Sequence, residues 1–188
     1  QDDCFTGWDA VNPQCDSGPR RWSGTAVQEG THLMASHLVD ICNALAAVEV
    51  VFASDGLDYT IPGTPLADVT DYVPVLPARL ILPPGAYGPG VSGYQYVNFS
   101  NAVKVTWNIV DMLLFEAVGL GQMIGLKYQA LAAYVAAYVP AVNVARKLAG
   151  AGTIVTVTPN VGIIEYPRGS ERFYNGVQMV VSVDETFC

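Results

Sequence analysis

From Met34 the apolar residues fall into a helical rhythm. In the run MASHLVDICNALAAVEVVFAS, Leu38, Ile41, Cys42, Leu45, Val48 and Phe52 recur at three- and four-residue steps, the spacing of one helical face. Ser36 is placed to cap this helix, which is expected to run to about Ala53, with Asp55-Gly56 ending it. Residues 55–72 read as a loop punctuated by Pro62, Gly63 and Pro65. Residues 73–82 read as extended, and Pro74 and Pro77 confine them to an edge or an irregular strand. Residues 83–93 form a Gly/Pro/Tyr loop, of a length that serves either as a binding element or as a simple connector.

The run VKVTWNIVDMLLFEAV from Val103 is β-branched and aromatic at its start. Val103, Val105, Trp107 and Ile109 alternate onto one face, and Lys104, Thr106 and Asn108 onto the other, turned to solvent or a partner. A Gly-rich turn follows, and then a long helix over about residues 126–149. Leu131, Tyr134, Val135, Tyr138, Val142, Ala145 and Leu148 mark its buried face, and Pro140 is expected to kink it or divide it. The last third is β: residues 153–158, a turn at Pro159-Asn160, residues 161–166, a tight connection at 167–170, and residues 172–184 with Phe173, Val177, Met179, Val181 and Val183 alternating. This order predicts an α+β fold, a mostly antiparallel sheet packed against one long and one shorter helix.

The first thirty-odd residues differ from the rest. Residues 1–30 lack both periodicities, are rich in Asp, Gly, Pro and Gln, and hold Trp8 and Trp22. Two readings of residues 1–33 stay open. They are an N-terminal arm that embraces a neighbouring subunit, or an upstream non-native leader before a start at Met34. Residues 34–188 are then the α+β domain. The opening residues are acidic and polar, unlike a secretory signal.

Composition narrows the function. Half the chain (51%) is hydrophobic and only 14% is charged, which suits a subunit with a large protein–protein interface or a monomer with a generous core. The formal charge is -8 and the densest basic spots are Arg20-Arg21 and Arg146-Lys147, so no basic stripe is present to hold nucleic acid by its phosphates. The longest apolar candidate for a membrane span, residues 130–145, is broken by Pro140 and Asn143 and falls short of the roughly 18 residues needed. Four cysteines (Cys4, Cys15, Cys42 and Cys188) allow a disulfide reading, but Cys42 sits on the apolar stripe of a helix, where a free thiol acts as a small hydrophobe. Their spacing, and that of His32 and His37, gives no metal site.

Candidates for catalysis are few. His37 lies at the helix start, where a solvated residue is the ordinary reading, and nothing around Ser36 or Cys42 forms a nucleophile elbow. The carboxylate pairs Asp55/Asp58, Asp68/Asp71 and Asp184/Glu185 sit in loops or at strand ends as solvated charge. Gly119-Leu120-Gly121 has neither the third glycine nor the Lys-Ser/Thr of a phosphate loop. No catalytic, cofactor-binding or metal-binding residue is therefore expected, and the chain is not expected to be an enzyme. Arg168, Glu171 and Arg172 place three charges at one hairpin tip of a charge-poor chain, where a polar contact would set orientation against a partner.

One pattern resembles a known family. Trp107-Asn108-Ile109-Val110-Asp111-Met112-Leu113-Leu114 precedes a Gly-containing turn. A helix with Leu131-Ala132-Ala133-Tyr134 and Ala145-Arg146-Lys147-Leu148 follows, then a strand, Gly162-Ile163-Ile164-Glu165-Tyr166-Pro167 and Tyr174-Asn175-Gly176-Val177. Over residues 36–186 this is similar to the tail-terminator and head–tail joining (tail-completion) proteins of siphophages. Residues 1–33 and the four cysteines have no counterpart in the pattern. The resemblance implies a virion protein of the tail or neck, assembled in the host cytoplasm. It would form a six-fold ring that caps the tail tube and docks the head connector. Its partners would be itself, the tail tube protein and a head-completion or connector protein, with DNA passing through the lumen without specific binding and no membrane involved. Two alternatives accompany this reading. One is another neck or tail component such as a head-completion protein. The other is a secreted binding module stapled by Cys4–Cys15 and Cys42–Cys188.

Overall fold

The computed structural model describes residues 30–71, 73, 75–88, 90–97, 102–119 and 127–187. Among the described residues two α-helices, α1 (Gly30–Ala46) and α2 (Tyr128–Val144), accompany nine strands. The strands are β1 (Val50–Ser54), β2 (Leu57–Ile61), β3 (Gly63–Thr64), β4 (Ala78–Leu82), β5 (Val91–Tyr96), β6 (Val103–Ala117), β7 (Lys147–Leu148), β8 (Gly152–Glu165) and β9 (Phe173–Phe187). β1 and β2 form a separate hairpin, and the other seven make one sheet in the order β3-β4-β6-β9-β8-β7. β6 pairs with β9 along one edge, and shares its other edge between β4, opposite residues 110–114, and β5, opposite residues 103–107. All pairs are antiparallel except β3 with β4. The fold is thus mixed α and β with a mostly antiparallel sheet.

The helices differ from the expected long and short pair, since each has 17 residues. α1 begins at Gly30, ahead of Ser36, and stops at Ala46 instead of Ala53. Val48, Val50 and Phe52 also fit a two-residue period, and the chain takes that option as β1, burying Val50 and Phe52. Asp55 and Gly56, both at positive φ (53° and 74°), make a tight turn into β2, in keeping with the preference of Asp-Gly for two-residue hairpin loops. Residues 55–72, expected as a loop, thereby contain β2, β3 and a 3-10 turn.

α2 runs through Pro140 without dividing. It ends at Val144, short of the expected 149, because Lys147–Leu148 pairs with the start of β8 and so buries Leu148 as a strand residue. β8 is likewise continuous where a turn at Pro159-Asn160 was expected. It lies next to the sheet's edge, where β7 covers only its start, so Pro159 has β9 on one side and no paired strand among the described residues on the other. Of the described residues between 73 and 82, only Ala78–Leu82 is strand.

Strand alternation gives the sheet two apolar faces. On one, Ile109, Leu113, Val177, Met179, Val181 and Val183 meet α1 through Ile41, Cys42 and Leu45, and α2 through Leu131, Tyr134, Tyr138 and Val142. On the other, Leu80, Leu82, Val110, Met112, Leu114, Tyr166 and Tyr174 form a smaller core beneath Val69, Val73, Leu76, Ala86 and Tyr87. The face opposite the helices is therefore covered at this end, whereas Lys104 and Thr106 at the other end stay partly exposed. Gly176 is required where β9 crosses the β6 bulge, because a Cβ there would sit 2.2 Å from the Leu113 carbonyl oxygen.

A buried ionic cluster sits inside the larger core. Arg79 on β4 meets Asp111 on β6 through Nε (2.9 Å to Oδ1) and Nη2 (2.6 Å to Oδ2). Its remaining donors reach the carbonyl oxygens of Leu45 (3.0 Å) and Val48 at the end of α1. Tyr138 of α2 donates to Asp111 Oδ2 at 2.7 Å. Burial works against the Arg79 charge, but the Asp111 carboxylate beside it reverses this and holds its pKa above the ordinary value. Burial, then the Asp111 charge, pushes the Tyr138 hydroxyl well above its usual range, so it stays a proton donor. Replacing Arg79 with Met leaves Asp111 buried without its counter-ion and should destabilise the fold by about 3–5 kcal/mol in urea denaturation. Adding Asp111→Leu to that variant should recover part of the loss, because the two substitutions share one interaction.

Candidate assembly surface

The three charges expected at a hairpin tip are there. The turn from β8 to β9 carries Arg168, Glu171 and Arg172, all exposed. Tyr166 N–H bonds to the Arg172 carbonyl (3.0 Å) to close the turn, and Glu165 Oε1 accepts the backbone N–H groups of Gly169 (3.0 Å) and Glu171 (3.1 Å). Arg168 does more than extend into solvent. Its guanidinium lies 4.8 Å from the Tyr87 ring centroid, and its N–H donates to the Tyr87 hydroxyl at 2.8 Å. Tyr87 also stacks on Tyr166, and its carbonyl accepts from Gln178 Nε2 at 3.0 Å. The Gly/Pro/Tyr loop is therefore fastened to the tip and the sheet. Tyr87, Asn160, Gly162, Glu165, Arg168 and Gln178 line an open, mixed-polarity cleft of about 370 Å³ between them.

A second surface, not anticipated from the sequence, lies where α2 meets β8. β7 pairs only with Gly152 and Thr153, and the Ile154 N–H bonds to the Arg146 carbonyl (2.9 Å). Beyond Ile154, no strand among the described residues pairs with the outer edge of β8. Beside that edge a groove of about 360 Å³ is lined by Val139, Val142, Asn143, Arg146, Val155 and Val157. Val139 (44%), Val144 (91%) and Val155 (50%) are strongly exposed for apolar residues. The signal in the sequence was the charge pattern: between residues 128 and 164 the only charges are Arg146 and Lys147, one of the two densest basic spots of the chain. Both are exposed, with Arg146 Nε 3.4 Å from the Ile154 carbonyl oxygen.

The other chemistry-bearing residues disperse. Asp184 and Glu185, neighbours in sequence, point to opposite faces of β9. Asp184 accepts from Thr106 (2.6 Å) and pairs with Lys104, while Glu185 accepts from the Trp107 indole N–H at 2.7 Å. Glu185 Oε1 has no hydrogen bond among the described residues and faces His37 Nδ1 at 3.4 Å, while the His37 side chain itself stays 43% exposed. Asp55 is in the hairpin turn and Asp58 in β2, while Asp68 ends the 3-10 turn and Asp71 follows it, all exposed. Cys42 is a free, fully buried thiol, pushed up to about 11 by burial, which leaves the Cys42–Cys188 staple without its first half. Cys4, Cys15, Cys188, Leu120 and Gly121 lie outside the described residues, as does the side chain of His32. Among the described residues no group of three or more His, Cys, Asp or Glu is placed to hold a metal ion, and no helix is long and apolar enough to cross a membrane.

No family model, no curated protein and no solved structure matches this chain. The surfaces above therefore stand on their own geometry.

Glu185 makes the sheet end at α1 sensitive to pH. Burial raises its carboxyl above the ordinary 4.5, with the Trp107 hydrogen bond and His37 pulling the other way. A raised folded-state pKa contributes stability that is fully present below the unfolded value and is lost as pH rises through the folded value. Glu185→Gln keeps the shape and an acceptor for Trp107 but cannot ionise. Its stability relative to wild type should improve as the pH is raised from about 4 to 7, followed by urea denaturation at several pH values. A constant difference across that range would mean that the Glu185 carboxyl is solvated.

Proposed function

We propose that this chain is a structural virion subunit that assembles side by side with copies of itself into a ring, in the manner of siphophage tail-terminator and head–tail joining proteins. The observation that carries the reading is the outer edge of β8, which no strand among the described residues pairs beyond Ile154, together with the half-exposed or exposed Val139 and Val144 of α2 and Val155 of β8. An unpaired strand edge beside exposed apolar side chains is the kind of surface that another chain covers. The low charge of the chain supports the same reading, since lateral contacts on two sides of each subunit have to be covered. In this role the ring, hexameric by the resemblance, caps the tail tube and joins it to the head-completion or connector protein. DNA passes through the lumen past an acidic chain that has no basic stripe to retain it.

Native mass spectrometry and negative-stain images of the purified chain, alone or with tail tubes, should show closed rings. A monomer at high concentration that forms no ring on tubes would overturn the proposal.

The tip at Arg168, Glu171 and Arg172 is the proposed contact to the adjacent ring. Reversing Arg168 and Arg172 to Glu removes the cation over Tyr87, worth no more than about 1 kcal/mol at an exposed site. Melting should fall only slightly and ring formation should persist, while joining to the tube or connector is impaired. Joining at wild-type levels would remove the tip from the interface.

A further inference from the structure

We infer that the two ends of the sheet are the two halves of one head-to-tail contact between copies of this chain. The basic-rimmed groove between α2 and β8 of one copy receives the acidic edge, from β2 to Asp71, of the next. The inference rests on the self-assembly reading above and names the surfaces by which assembly proceeds.

The partition of charge carries it. Residues 128–164, which build α2, β7 and most of β8, hold only Arg146 and Lys147, both exposed at one end of the groove. Residues 47–78 hold Glu49, Asp55, Asp58, Asp68 and Asp71, all exposed, and no Lys or Arg. β3, inside the acidic stretch, is outermost on one side of the seven-stranded sheet and β7 on the other, while the β1–β2 hairpin is a separate sheet whose β1 packs on α2. β2 belongs to the acidic side, separated from residues 75–79 before and within β4 by a shallow cleft of about 440 Å³. Each side also exposes apolar residues of its own, Val51 (60%), Leu57 (58%) and Val75 (72%) on the acidic side and Val139, Val144 and Val155 on the basic one.

Because β3 and β7 are at opposite ends of the sheet, a two-fold contact through either end alone would set that patch against itself, acid on acid or base on base. Joining unlike edges instead brings opposite charges together around apolar centres, which favours one partner orientation and speeds encounter. A contact between unlike surfaces leaves one of each free on every pair, so addition continues until the rotation closes a ring. Pro159 gives β8 one backbone donor fewer, and side chains and charge set the register of the contact.

The test uses the full chain and two exposed double variants, Arg146→Glu with Lys147→Glu and Asp58→Lys with Asp68→Lys. Each variant alone places like charges across every contact and should associate roughly tenfold or more weakly than wild type in sedimentation velocity. Mixed in equal amounts they should recover assembly, because a native groove then meets a native edge and a reversed groove meets a reversed edge in alternation. Wild-type assembly should also weaken in 1 M salt, where the screening length falls to about 3 Å. Recovery on mixing cannot come from misfolded chains. If wild type assembles while either variant assembles equally well, or while the mixture stays dissociated, the head-to-tail assignment is overturned and the proposed function stands. If wild type itself never assembles, both fail.

Discussion

The Arg79–Asp111 pair is the point on which the packing of the larger core depends. It joins β4 to β6 directly, takes up two carbonyl groups at the end of α1 through Arg79, and receives α2 through Tyr138. Burying two charges is expensive, and a well-packed apolar pair of similar volume would often serve stability as well. What the ionic cluster adds is direction. Its donors and acceptors are satisfied only when the end of α1, the strand β4 and the third turn of α2 all arrive at one place. An apolar core would tolerate α1 sliding along the sheet, whereas the Arg79 fork does not.

With α1 fixed in this way, its other end is held against the far end of β9. His37 then faces Glu185 beside Trp107, and Ile41 packs so closely over Gly152 that a Cβ there would lie 3.0 Å from the Ile41 side chain. α1 thus crosses the sheet from the β7–β8 side to the β3–β4 side, and α2 fills the space left along β8 and β1. The same arrangement leaves the outer edge of β8 unpaired beyond Ile154 among the described residues and keeps the acidic side chains of residues 47–78 exposed. On the proposed reading, the interior that specifies the monomer also decides which surfaces remain for its neighbours.

The charged tip shows how local and distant constraints combine. Pro167 and Gly169 mark a turn in any context, but the partner of Arg168 is Tyr87, 81 positions earlier. The loop that carries Tyr87 is pinned through stacking on Tyr166 and the Gln178 hydrogen bond, so the tip and the loop form one feature of the surface. Glu165 serves the turn from within, accepting two backbone N–H groups, so not every charge near the tip is available to a partner.

The strands with strong, long alternation were legible in the chain itself. β6 and β9 alternate β-branched and aromatic residues with polar ones, and only a strand buries such a pattern on a sheet face. The centre of α2 was equally clear, because Leu131, Tyr134, Tyr138 and Val142 fit one helical face and no strand. Where two periods fitted the same residues the sequence was silent: Val48, Val50 and Phe52 satisfy a helix and a strand alike, and long-range packing against α2 and Phe115 chose the strand. Pro159 looked like a turn because a proline is excluded from inner strands, yet only the tertiary arrangement puts β8 beside the edge, where the missing N–H costs little. The pairing of Arg79 with Asp111, 32 positions apart, leaves no local trace, and although the acidic run over residues 47–78 and the basic pair Arg146-Lys147 stand in the sequence, their places in the fold do not. They depend on which strands become neighbours, and that is settled by burial of the whole core at once, beyond what any window of sequence contains.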